Sequence, residues 1–162
     1  MSGIIGGAGK SGVIGVTGTN NPCFSAYLSS AYDPGAISNF EAMICGNEHF
    51  DSAGAYNTSN GIWTCPMTGT YQIDAVVAWT VSIGADKVFY AQLLHEAQYV
   101  RDWRMFSGGI VGEGVYVSLS VTRPFNAGEV LMVRGWQNSN ASTNMYGDSA
   151  GAGCKFSGFR LN

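Results

Sequence analysis

Between Tyr71 and Val81 the odd positions read Tyr71, Ile73, Ala75, Val77, Trp79 and Val81, and the even ones Gln72, Asp74, Val76, Ala78 and Thr80. Alternation of period two predicts a strand with one face in a core. Val115, Val117, Leu119 and Val121 alternate in the same way with Tyr116, Ser118, Ser120 and Thr122. Two other runs, Val88 to Leu94 and Val130 to Val133, carry apolar side chains at successive positions. A strand that is greasy on both sides needs a layer outside its own sandwich, and a second copy of the chain is the simplest provider. Phe89, Leu93, Leu131 and Val133 are the candidate contacts to that copy.

Turn signals punctuate the chain from Asn20 onward: Asn21-Pro22, Asp33-Pro34-Gly35, Cys45-Gly46-Asn47, Asn60-Gly61, Thr68-Gly69, Ile83-Gly84, Gly108-Gly109 and Asn126-Ala127-Gly128. No segment shows capped helical periodicity, and Leu93 to Phe106 reads as two strands around a turn. The expectation is an all-β sandwich or jelly roll of about ten strands.

Residues 1–20 differ in kind. Glycine recurs at 3, 6, 7, 9, 12, 15 and 18, interleaved with Ile4, Ile5, Val13, Ile14 and Val16. So much glycine cannot hold a helix, and a plain linker has no use for branched aliphatics. The reading is an extended arm over 1–20 whose five aliphatics plug another surface, followed by one domain over 21–162. Fully extended, twenty residues reach about 65–70 Å. GGAGKSG is not a phosphate loop: position 4 is Ile4 where the motif needs glycine, and the strand and helix that should flank it are missing.

The chain has 162 residues, 46% hydrophobic and 12% charged, which suits one domain with a real core. A net charge of -3 leaves no basic face for nucleic acid. No apolar run is long enough to span a membrane, and the N-terminus does not read as a secretory leader, so synthesis in a cytosol is expected. Cys23, Cys45, Cys65 and Cys154 lack the paired spacing of a zinc site and are expected to be reduced and mostly buried.

Catalytic candidates are absent from this reading. There are two histidines. His49, beside Glu48 and Asp51, is read as a turn residue rather than a cation ligand, and His95 beside Glu96 as a rim residue. No Ser, His and Asp set is assigned, and no metal or cofactor is expected. Asn57-Thr58-Ser59 and Asn140-Ala141-Ser142 are read as turn polars rather than glycosylated sites. The polar stretch Asn138 to Gly153 is expected to form a long apical loop, in which Met145 and Tyr146 are receptor-binding candidates or simply part of a solvated loop. Trp103, between Asp102 and Arg104, is a third candidate, as a binding residue or as a seal on a subunit rim.

His49-Phe50-Asp51, Gly61 to Tyr71 with its Thr64-Cys65-Pro66, the unit from Val117 to Val133, and the closing Lys155-Phe156-Ser157-Gly158-Phe159-Arg160-Leu161 resemble blocks of the globular head of the complement component C-one-q family. Phe125-Asn126-Ala127 is an insertion relative to the family's pattern, Arg101 to Gly114 has no counterpart, and no collagen-like stalk precedes the blocks. The resemblance covers residues 23–162 and implies a ten-stranded jelly roll, shared with tumour necrosis factor, that forms tight homotrimers. Some family members bind calcium in loops, but no matching carboxylate cluster stands here. The opening Gly3 to Gly15 is similar to short N-terminal segments of virion proteins in marine tailed phages, which implies a docking peptide.

Together these readings predict a non-enzymatic phage virion protein, a trimeric decoration or fibre held on the particle by its arm. A tail adhesin that recognises a host glycan or protein is the alternative. A secreted lectin-like protein and a depolymerase rank below both.

Overall fold

The computed structural model describes residues 21–33, 39–80, 87–96, 98–107, 114–138 and 143–162, with the side chains of 87 and 98–107 outside that description. The arm and its anchoring candidates Ile4, Ile5, Val13, Ile14 and Val16 therefore lie outside the described residues, as do the Ile83-Gly84 and Gly108-Gly109 turns. The described chain is all-β. Its strands are β1 (Cys23–Tyr27), β2 (Glu41–Ala42), β3 (Asn47–Asp51), β4 (Tyr56–Asn57), β5 (Ile62–Thr64), β6 (Gly69–Thr80), β7 (Lys87–His95), β8 (Gln98–Ser107), β9 (Val115–Phe125), β10 (Val130–Gln137), β11 (Asn144–Met145) and β12 (Lys155–Arg160). Twelve segments stand where about ten were expected, and three of them, β2, β4 and β11, are two residues long.

The strands form two six-stranded sheets. The first runs β9–β6–β12–β1–β3, with β11 pairing β6 at Trp79 and Thr80 past the residues that β12 occupies. The second runs β4–β5–β10–β7–β8, with β2 on β10 at Arg134 and Gly135. Every pairing is antiparallel, so each strand can alternate between a core face and an outer face.

The alternation read from the sequence sets the phase of β6 and β9. Tyr71, Ile73, Ala75, Val77 and Trp79 are all buried, as are Val115, Val117 and Leu119 across from them. Trp63 of β5 sits at the middle of the core, with ring centroids 5.7 Å from Phe24, 5.2 Å from Tyr71 and 5.6 Å from Phe125. The Asn60-Gly61 turn is required by geometry: Gly61 has φ +74°, and a Cβ there would stand 2.8 Å from the Met43 carbonyl oxygen.

The two-faced strands resolve differently from the expectation. Phe89, Leu93, Leu131 and Val133 are at most 1% exposed within a single protomer, because they are the core-facing phase of β7 and β10. They cannot touch another copy. The outer phase of the same strands carries Val88, Tyr90, Leu94, Met132 and Trp136, all half-buried by the chain itself. Tyr90 meets Trp136 edge-on at 4.9 Å, and Phe40 from the loop before β2 covers Tyr90 at 6.1 Å. The Arg134 guanidinium lies 5.1 Å over the Phe40 ring and donates to Gln92 Oε1 at 2.6 Å. Part of the missing layer is thus a loop and an arginine of the same protomer.

Candidate functional site

The sequence-derived binding residues are not brought together. Met145 is fully buried: β11 folds it under the end of β6, opposite Trp79, and Tyr32 bonds it through both backbone groups at 2.9 and 3.0 Å. The supposed apical loop is in part a strand, and its apolar residue points inward. Tyr146 is half-buried and donates its hydroxyl to Asp148 Oδ2 at 3.0 Å, which raises the phenol's pKa. Trp103 falls in β8 opposite the core residue Ala91, and its side chain lies outside the described residues.

One motif escaped the sequence reading. Gly147-Asp148-Ser149-Ala150-Gly151 has the spacing of a hydrolase nucleophile elbow. In the structure it is a turn rather than a strand-to-helix elbow. Asp148 accepts from the Ala152 N–H at 2.8 Å, its carbonyl accepts from Gly151 N–H at 3.0 Å, and the chain runs on to β12. His49 does approach this turn, stacked on Tyr27 at 4.3 Å, and a Cβ on Gly151 would meet its Nε2 at 3.1 Å. No hydrogen bond joins Ser149 to His49 among the described residues, and the motif is explained by the Asp148-centred turn. Nor do the described residues contain a group of three or more His, Cys, Asp or Glu side chains placed to hold a metal ion.

The cysteines are free thiols. Burial pushes Cys45 up to about 12, with Cys154 nearby adding to it, and pushes Cys154 up to about 11. Cys65 is also raised by burial, against the opposing hydrogen bond to Met67. Only Cys23 reaches a partly exposed position. Thiols held this far from ionisation are packing residues rather than nucleophiles.

Two surfaces remain that the structure does assemble. The first is the outer face of the first sheet, where Tyr116 of β9 (45% exposed), Phe159 of β12 (44%) and Phe50 of β3 (52%) all face solvent. Small polar residues separate them, and these satisfy one another along the sheet. Gln72 Nε2 donates to Asp74 Oδ1 at 3.0 Å and to Ser120 Oγ at 2.8 Å, while Gln72 Oε1 accepts from Thr122 Oγ1 at 2.5 Å. A shallow trough of about 300 Å³ runs along this face between Asp74, Ser118, Ser120, Lys155 and Ser157.

The second is a polar cleft of about 360 Å³ at one end of the sandwich, where Thr68, Thr70, His95, Arg123, Asn126 and Glu129 converge. The β9–β10 turn shapes it. Glu129 accepts from the Asn126 backbone and side chain, both at 2.9 Å, and its Oε2 lies 3.3 Å from His95 Nε2. Those Asn126 bonds, ahead of His95, hold the Glu129 carboxyl below the ordinary carboxylate value.

The sequence matches no protein-family model and no curated protein. Solved structures do match in fold. The globular domain of zebrafish complement 1qA protein superposes with a TM-score of 0.62 at 13% identity, over 87% of this chain and 98% of that one. Murine APRIL superposes with a TM-score of 0.60 at 8% identity, over 87% and 99%. The fold is therefore a jelly roll of the C-one-q and tumour necrosis factor kind. No helix among the described residues is long and apolar enough to cross a membrane.

Proposed function

We propose that this chain is a non-enzymatic structural protein of a phage virion. Its jelly-roll domain assembles as a homotrimer and projects from the particle, and the arm of residues 1–20 attaches it there. The observation that carries the assembly is the outer face of the first sheet. Three large aromatics, Phe50, Tyr116 and Phe159, stand exposed on this one sheet face, and aromatic side chains are enriched where protein surfaces meet. Gln72, Asp74, Ser120 and Thr122 on this face already bond to one another, so a neighbouring copy can cover these four without breaking their hydrogen bonds. The interface thus lies on the sheet opposite the one the sequence pattern singled out.

The virion setting rests on the glycine and aliphatic alternation of the arm and on its likeness to phage docking segments. Deleting residues 2–18 tests it. Particles assembled with the deleted chain are expected to lack the protein while the isolated domain remains folded and trimeric. Normal incorporation would defeat the attachment role. A tail adhesin is the second reading, favoured by the polar cleft at His95 and Arg123. It predicts that purified protein binds host cells and blocks infection.

A further inference from the structure

The cleft at the end of the sandwich contains an arginine the fold does not use. Arg123 lies near the end of β9 opposite Tyr71, and Arg160 lies opposite the same residue on the other side. Both guanidinium groups thus reach the same end of the core. Arg160 is engaged there, its Nη2 donating to the Thr68 carbonyl at 3.0 Å. Glu129 is also engaged, by the Asn126 backbone and side chain, with His95 Nε2 3.3 Å from its Oε2. Arg123 is half-buried, lines the cleft, and makes no hydrogen bond or ion pair among the described residues. A guanidinium removed from part of its water and given no carboxylate in return is poorly compensated until an anion arrives.

The walls around it are fixed. Thr68 Oγ1 accepts from the Ala127 N–H at 3.0 Å, the Gly128 N–H donates to the Cys65 carbonyl and the Cys65 N–H to the Glu129 carbonyl, both at 2.8 Å, and the His95 ring stands edge-on to buried Phe125 at 5.2 Å. Its volume of about 360 Å³ falls within the roughly 300–1,000 Å³ of small-ligand sites. Beside Arg123 the lining offers hydroxyls of Thr68 and Thr70 and the Asn126 amide, groups suited to sugar hydroxyls.

We propose that this cleft binds an acidic saccharide of the uronic-acid class, with Arg123 taking the carboxylate through its two-pronged N–H fork and the threonine and asparagine side chains taking ring hydroxyls. The site goes beyond the structural role above and does not depend on it. Sedimentation reads assembly, whereas the following titration reads the cleft.

Calorimetric titration of the full chain with trigalacturonate is the test, with maltotriose and triglutamate as comparisons. Saturable binding of the uronate trimer is expected, with no binding of maltotriose and clearly weaker binding of triglutamate. Added salt should weaken the complex. Arg123→Ala should lower affinity ten-fold or more, and Arg123→Lys, which keeps the charge but not the fork, should fall between. Circular dichroism on both variants separates lost binding from lost fold. The lysine variant and the neutral-sugar comparison still decide the matter if the alanine variant is unstable. Absence of uronate binding, equal binding of maltotriose, equal or tighter binding of triglutamate, or unchanged affinity in Arg123→Ala would overturn the assignment.

Discussion

The buried thiols of this protein serve packing rather than chemistry, and a thiol titration and a pH series at Glu129 each read a single residue. Cys45, raised to about 12, and Cys154, raised to about 11, are buried thiols that stay protonated at any working pH. In the native protein at pH 8 a thiol reagent should therefore modify one cysteine, Cys23, quickly, and all four only after denaturation. Fast reaction of a second thiol would show that the core opens. Glu129 supplies a pH signature. Its carboxyl is depressed in the folded state, first by Asn126, so its contribution to stability is complete above the ordinary value of 4.5 and is lost as the pH falls through the depressed native value. Melting temperature followed from neutral to acid pH should thus drop more steeply in the parent than in Glu129→Gln. Parallel curves would mean that the Asn126 contacts do not persist in solution.

At the scale of elements, what the sequence revealed was periodicity, and what it hid was phase. β6 and β9 alternate cleanly, so Tyr71 to Trp79 and Val115 to Leu119 could be assigned to the core from pattern alone. The hairpin of β7 and β8 was equally legible as two strands around a turn. In Val88 to Ala91 of β7 and Val130 to Val133 of β10 every position is apolar, and a run without contrast cannot say which side faces in. Phe89 and Leu131 were accordingly placed on the wrong side, and Phe40, whose ring covers Tyr90 from a loop, gave no sequence signal at all. β11 was hidden for another reason. Two residues in a stretch of Asn, Ser and Gly are too few to show a period, yet Met145 is buried under Trp79 and the Gly135 backbone. Met145→Ala should consequently cost about 2–5 kcal/mol of folding stability, read from denaturant midpoints, as large-to-small core changes do. A neutral effect would return this residue to the surface loop. Gly61→Ala should also destabilise, since its φ of +74° and the Met43 carbonyl at 2.8 Å leave no room for a methyl group. The cleft at Arg123 was not legible because its residues come from three separated segments, 68–70, 95 and 123–129, that only the antiparallel register brings to one end.

On the scale of the whole molecule, the account rests on one sheet face. The second sheet covers part of its outer surface, around Tyr90, with its own Phe40 and Arg134, whereas the first leaves Phe50, Tyr116 and Phe159 in solvent. A permanent assembly is expected to bury about 2,000 Å² or more per contact, an area whose apolar part is large beside the roughly 5–15 kcal/mol that holds a domain folded. A charge placed in such a contact cannot be solvated and should split the assembly without disturbing the core. Sedimentation equilibrium of the full chain and of Tyr116→Arg and Phe159→Arg, at micromolar concentration, is the most direct test. The account predicts three times the 17.1 kDa protomer mass for the parent and folded monomers for both variants. A monomeric parent across that range, or trimers that survive both arginines, would contradict it.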